Sequence, residues 1–372
     1  MGKVLSLEEK QKALAKLVGD INKKYGGEED EDGKKVSICK KASDLEEIEG
    51  IPTGMISLDM ALGCQGFPRG RIVEISGPEH SGKTSLALEA IANSQKIDPT
   101  SMSIYLDLEN GLDKKYAKSI GVDLNRLQVV EPIPAEQVCN LIRDICGSNM
   151  FDYIVVDSTS AMSPSIEQGK AIDVNAQVAS TAKLLSSLCR QIVGPLGKSN
   201  TCLIFISQIR KKITANPYEN PDVIGHGEAL KYYSSIRIKV LKQKEEDGSE
   251  DCPRNPTTYT IFKNKCGGKP KAKVEEVIVF GKGIDKEMDT LMFCMKSGVI
   301  ARNSEKGKTY LYGEYKWVGK DAVKQALKEN ESLRNEVLEK AKKLYLNSSD
   351  DIENAPNVAS DIENEDLEKT DE

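Results

Sequence analysis

The chain has 372 residues, 39% hydrophobic and 30% charged, the balance of a soluble globular protein with one large domain and smaller appendages. No run approaches the roughly 20 apolar residues of a membrane span, and Met1–Lys24 lacks the apolar core of a secretory leader. Nine scattered cysteines without a C-x-x-C pair and only two histidines argue against a disulfide framework, a zinc site or a histidine triad, and read as reduced, cytoplasmic thiols; the net charge of −6 argues at first against a nucleic-acid partner.

Ser6-Leu7-Glu8-Glu9 is a capping-box pattern, and Leu7, Leu14, Leu17, Val18 and Ile21 follow at helical spacing. This helix is predicted to stop near Tyr25-Gly26-Gly27, ahead of an acidic linker from Glu28 to Lys35. One amphipathic helix has no core of its own, so its apolar stripe must pack on this chain or on a neighbouring copy. From about Ile51, short apolar runs alternate with helical patterns. Arg71–Ile75, Ser103–Leu106, Tyr153–Val156 and Cys202–Ile206 are predicted buried strands, separated by helices at Ser85–Gln95, Pro134–Cys146 and Val178–Val193. Such interleaving implies an α/β fold with a mostly parallel sheet covered on both faces. Tyr232–Leu241, Thr258–Lys263 and Val274–Val279 read as strands continuing that sheet. After Gly283 the texture becomes a smaller α+β one, with a charged helix predicted from Asp321 to Tyr345. Ten acidic residues and one lysine between Asp350 and Glu372 carry −9, which leaves about +3 on the rest of the chain. That tail is either a solubilising end or an electrostatic competitor for a basic groove.

Gly77-Pro78-Glu79-His80-Ser81-Gly82-Lys83-Thr84 fits G-x-x-x-x-G-K-[ST] between a strand pattern and a helix pattern, the context that makes it a phosphate loop. Its glycines let successive N–H groups face phosphate oxygens, Lys83 reaches the β- and γ-phosphates, and the Thr84 hydroxyl binds Mg²⁺. Asp157 ends the run Tyr153–Val156, at the strand end that faces the ligand crevice of such sheets, and is the second candidate metal ligand. Glu109 after Leu106-Asp107-Leu108 is a candidate general base for activating water, in competition with Asp107. Gln208 closes the run Cys202–Ile206, where a neutral amide can sense a terminal phosphate, or simply end a strand.

Beyond these motifs, Pro52-Thr53-Gly54, Ser57-Leu58-Asp59, Ala61-Leu62-Gly63, Gly70–Ile75, Val155–Ser158, Gln208-Ile209-Arg210, Ala229-Leu230-Lys231 and Lys263-Asn264-Lys265 stand in an order that resembles the bacterial RecA recombinase family over nearly the whole chain. The resemblance implies a RecA-like P-loop ATPase that uses ATP and Mg²⁺, forms a helical filament on single-stranded DNA and pairs it with double-stranded DNA. It further implies a co-effector role in self-cleavage of a LexA-type repressor. Segments 1–47, 48–283, 284–347 and 348–372 would be the oligomerisation helix and linker, the ATPase core, a small C-terminal domain and an acidic tail. By resemblance, Glu109 is the catalytic glutamate, Tyr116 stacks on adenine beside Asp113, and Ser85 joins the nucleotide contacts. Lys263 and Lys265 reach the neighbouring subunit's ATP. Two loops, about 167–175 and 209–227, contact DNA, the second through Arg210, Lys211, Lys212, Ile213 and Gly227; charge plus an aliphatic wedge binds single strands without reading sequence. The chain departs from the family in Thr214–Pro221, at His226 and at Ser207, which puts loop detail rather than nucleotide binding in doubt. A ring-forming P-loop motor and a non-enzymatic nucleoprotein scaffold are the rival readings.

Overall fold

A computed structural model describes residues 6–26, 37–164, 174–211, 222–224, 228–243, 254–269, 271–279, 281–304 and 307–350. The chain divides into two compact units, Met1–Ile48 and Glu49–Glu372. In the first, helix α1 (Leu7–Tyr25) begins with the expected capping box: Glu9 N–H donates to Ser6 Oγ at 3.2 Å and Ser6 N–H to Glu9 Oε2 at 2.8 Å. It stops at Gly26 as predicted. Asn22 then ties the following segment back to the helix, accepting from Ile38 and Cys39 N–H and donating to the Cys39 carbonyl. No residue of α1 is buried, and Leu7, Leu14 and Leu17 are exposed.

The second unit runs β1 (Gly50–Ile51), α2 (Ile56–Leu62), β2 (Phe67–Pro68), β3 (Ile72–Gly77), α3 (Lys83–Ile97), β4 (Ser103–Asp107), α4 (Lys114–Ile120), β5 (Leu127–Val130), α5 (Ala135–Ile145), β6 (Tyr153–Asp157), α6 (Val174–Gly197), β7 (Cys202–Lys211) and β8 (Asp222–Ile224). It continues with α7 (Ala229–Tyr233), β9 (Ile236–Lys242), β10 (Arg254–Asn264), β11 (Lys273–Val279), β12 (Gly283–Ile284), α8 (Lys286–Lys296), β13 (Ala301–Arg302), β14 (Thr309–Tyr312), β15 (Tyr315–Val318), α9 (Lys320–Glu329) and α10 (Glu331–Asp350). The main sheet has the order β12-β11-β10-β9-β3-β7-β6-β4-β5, with β8 paired to β7. Strands β9, β3, β7, β6, β4 and β5 are mutually parallel; β10, β11 and β12 extend the sheet antiparallel. The central strands carry near-continuous apolar side chains because both faces are covered. Leu106, Ile154, Val156, Leu203 and Phe205 pack with Val138, Ile142, Leu185 and Leu188 in the main core.

Two expectations need correction, and one strand was not predicted. The strand predicted from Tyr232 begins at Ile236, since buried Leu230 anchors the short helix α7 and the antiparallel partner β10 supplies ladder bonds only from Ile236 onward. The edge strand β5 carries an exposed Gln128 and Val129, so it lacked the apolar run that marked its neighbours. The single helix from Asp321 to Tyr345 is two helices, broken at extended Asn330, whose side chain accepts from Leu333 N–H at 3.0 Å. The break turns Val323 and Leu327 on one helix and Leu333, Val337 and Ala341 on the next toward Phe293 and Tyr310 in a second core.

Between the cores lies a buried carboxyl pair. Asp289 accepts from Ile56 and Ser57 N–H at 2.6 and 3.1 Å, pinning α8 to the start of α2. Glu276 on β11 faces it, and burial together with the charges of Asp289 and Asp285 pushes its carboxyl up to about 11. The folded chain therefore holds this proton more tightly than the unfolded chain. Its stabilising contribution is full below the unfolded value near 4.5 and is lost as pH rises toward the folded value, on the order of 1 kcal/mol per pH unit while it dominates. Glu276→Gln cannot ionise, so its Tm should exceed that of the wild type at pH 8 and converge with it at pH 5, read by thermal melts across that range.

Candidate functional site

The parallel register brings the functional residues to one end of the sheet. Gly77 pairs with Gln208 across β3 and β7, Val156 with Phe205 across β6 and β7, and Asp107 with Asp157 across β4 and β6, so β3, β6 and β4 end at the same edge of the sheet, within two residues of one level, and β7 runs on past it. This is the edge where doubly wound sheets bind their ligands. The loop from Gly77 to Thr84 leaves β3 there and enters α3. His80 and Gly82 have positive φ, and a Cβ on Gly82 would sit 2.3 Å from Ile278 Cδ1, so the loop closes only with glycine at that position. The first turn of α3 has no side-chain cap, which leaves its N–H groups for an anion. Pro78, Glu79 and His80 are exposed, whereas Ser81, Lys83 and Ser85 are buried. Ser81 Oγ donates to the Pro78 carbonyl at 2.9 Å, and Lys83 Nζ donates to the same carbonyl at 2.5 Å, so the cation lies inside the loop. Burial lowers the Lys83 pKa, opposed by the charges of Asp157, Glu109 and Glu79.

Thr84 Oγ1 donates to Asp157 Oδ2 at 2.7 Å, tying the start of α3 to the end of β6. The hydroxyl and carboxylate form an all-oxygen donor set suited to a hard divalent cation. Burial raises the Asp157 pKa, while hydrogen bonds from Tyr105 and Thr84 hold it down. Glu109 is exposed at the rim. Its Oε1 accepts from Gln208 Nε2 at 2.8 Å and from Ser158 Oγ in a short hydrogen bond. Asp107, its rival, spends both carboxylate oxygens on Gly111 and Leu112 N–H at 3.0 and 2.9 Å. Asp107 is thus engaged in holding a turn, whereas Glu109 stands exposed at the rim. Tyr116 is half-buried on α4, with its hydroxyl 2.7 Å from Ser85 Oγ, and burial raises its pKa. Asp113 is the N-cap of α4, accepting from Lys115 and Tyr116 N–H.

Lys263 and Lys265 sit elsewhere. Lys263 pairs with Arg237 on β9, and Arg237 pairs with Glu74, near the start of β3 rather than its end. Because β10 runs antiparallel to β9, the Lys263-Asn264-Lys265 segment emerges at the edge opposite this chain's own phosphate loop. Lys263 Nζ donates to the Lys231 and Tyr232 carbonyls at 2.7 and 2.9 Å, and burial, then the neighbouring Lys265 and Arg237 charges, lowers its pKa. Arg210 and Lys211 extend β7 beyond Gln208 and pair with Val223 and Asp222 of β8. Lys212, Ile213 and Gly227 lie outside the described residues, as does most of the 167–175 loop.

Sequence reasoning missed Ser158 and Tyr105. Tyr105 Oη donates to Asp157 Oδ2 at 2.5 Å from inside the core. Neither residue belongs to a phosphate-loop pattern; the only pointer was Ser158 following Asp157 directly. Among the described residues no cluster of three or more His, Cys, Asp or Glu could hold a metal, and no helix is long and apolar enough to cross a membrane.

The RecA N-terminal domain family matches residues 12–285. Protein RecA of Porphyromonas gingivalis is 35% identical over 341 residues, covering 91% of this chain and 96% of the relative. Protein RecA of Nautilia profundicola is 38% identical, covering 90% and 91% of the two chains, and that of Thermotoga neapolitana 37%, covering 91% and 95%. The crystal structure of the RadB recombinase aligns with 63% of this chain at 20% identity and a TM-score of 0.47. With a phosphate loop, a paired carboxylate and a family match spanning most of its length, the chain belongs to the RecA family of DNA recombinases.

Proposed function

We propose that the chain is a single-stranded-DNA-dependent ATPase of the cytoplasm that assembles as a filament on single-stranded DNA and pairs it with a homologous duplex. The observation that carries this reading is the convergence of Lys83, Thr84, Asp157, Glu109 and Gln208 at one sheet edge, with Gln208 continuing directly into Arg210 and Lys211. The uncapped turn of α3 and the loop N–H groups would hold the phosphates of ATP, and Tyr116 its base. Thr84 and Asp157 would hold Mg²⁺, which when bound neutralises phosphate charge. Glu109 positions and deprotonates the attacking water. Its hydrogen bond to Gln208 links that step to the strand that carries the DNA-facing cations. Backbone contacts suffice for a recombinase, because the DNA strands themselves read sequence. Co-effector action on a LexA-type repressor rests on the family resemblance alone.

Glu109→Gln should retain ATP and DNA binding while hydrolysis falls by about a hundredfold or more, the scale of losing a general base. The deciding measurement is ATP turnover with and without single-stranded DNA beside nucleotide binding; normal turnover would remove Glu109 from its role.

The opposed edges imply a site completed between protomers. Lys263→Ala should lose DNA-stimulated hydrolysis yet bind ATP as an isolated protomer. Mixed with Lys83→Ala, it should regain part of that activity, since some interfaces then join an intact phosphate loop to intact lysines. Proven co-assembly with no recovery counts against completion in trans.

Deleting Asp350–Glu372 shifts the formal charge from −6 to about +3. Duplex affinity should rise at low salt, and the gain should shrink as screening shortens to roughly 10 Å at 0.1 M salt. Equal affinity of the two proteins from low to moderate salt would reduce the tail to a solubilising end.

A further inference from the structure

Tyr105 lies on β4 and Asp157 on β6, adjacent parallel strands in which Tyr105 pairs with Val155 and Asp107 with Asp157. Side chains two residues apart share a face, so Tyr105 and Asp157 are diagonal neighbours on one side of the sheet. The tyrosine ring is 1% exposed, and the apolar role of such a position is met by a ring alone. Its hydroxyl nevertheless reaches Asp157 Oδ2 at 2.5 Å, the oxygen that also accepts from Thr84 Oγ1 at 2.7 Å. Oδ2 thus receives two donors, and among the described residues Oδ1 accepts none.

We propose that Tyr105 is a positioning residue for the divalent cation of the nucleotide site, fixing the Asp157 carboxylate so that Oδ1 is the oxygen presented to the metal's ligand shell. The role rests on the Mg²⁺–ATP reading above and assigns a new member to that site. Without the Tyr105 hydroxyl, one hydrogen bond from Thr84 holds the carboxylate, and Thr84 is itself a proposed metal ligand. The carboxylate can then rotate, and the metal must supply the ordering that Tyr105 supplied beforehand. Removing an outer partner of a metal-binding carboxylate typically weakens the metal by tenfold or more.

The test uses full-length wild type and Tyr105→Phe, which keeps the buried ring and so keeps the fold. Binding of a ribose-labelled fluorescent ATP is titrated with Mg²⁺ at constant ionic strength, with an EDTA baseline and a thermal melt of each protein. Tyr105→Phe should need roughly tenfold more Mg²⁺ for half-maximal binding. It should match the wild type in EDTA and at saturating Mg²⁺, and melt within a few degrees of it. An unchanged Mg²⁺ midpoint overturns the proposal. So does an affinity loss of equal size in EDTA and in Mg²⁺, because that outcome marks a packing role. If wild-type binding itself ignores Mg²⁺, the metal–nucleotide reading fails first and takes this role with it, a result distinct from a wild type that responds and a variant that responds identically.

Discussion

The register that pairs Gly77 with Gln208, Val156 with Phe205 and Asp107 with Asp157 brings the ends of β3, β6 and β4 and Gln208 of β7 to one end of the sheet, and the rest of the site depends on that alignment. A one-residue slip in any of these strands would turn its side chains to the other face and move its end along the strand. Buried side chains packed on both faces, among them Val156 and Phe205, hold that register by their fit. The core therefore does more than stabilise the domain. It sets the distance between a cation in a loop, a carboxylate at a strand end and an amide on a third strand, without a direct covalent link among them.

Much of this was readable from residues alone, for a definite reason. The phosphate loop is a backbone device, so the spacing of Gly77, Gly82 and Lys83 encodes it locally. Asp157 alone could be a capping residue after a strand, and it was legible because a phosphate loop stands upstream of it. Polarity of the added strands was not legible, since Thr258–Lys263 looks the same whether it runs up or down. Nor was the break at Asn330, where a helix-compatible sequence yields to the demand of one core for two helix faces. Local pattern left Asp107 and Glu109 in contest and the family resemblance favoured Glu109; that Asp107 holds a turn is a fact that exists only once Gly111 and Leu112 have folded back. Tyr105 was hidden for a similar reason: its apolar ring satisfied the strand pattern, and its hydroxyl acts on a residue 52 positions away.

The strand β7 is the physical link between nucleotide and nucleic acid in this reading. Gln208 touches Glu109 at one point along it, and Arg210 and Lys211 stand two and three residues farther on, stiffened by pairing to β8.

Lys263 and the phosphate loop occupy opposite edges of one sheet, and that polarity has a consequence for how copies count. A contact that joins one edge to the opposite edge of the next copy is head-to-tail, and it closes into a ring only if the rotation between copies permits. If, as proposed, Lys263 and Lys265 complete the next copy's site, every copy of an open array but one owns a finished site, and the exception is always the same end. Short arrays therefore waste a larger share of their active centres than long ones, and the two ends differ chemically: one presents lysines without a loop to serve, the other a loop without lysines. Gain and loss of subunits then need not proceed at equal rates from the two ends, a directionality that follows from the strand order of a single protomer.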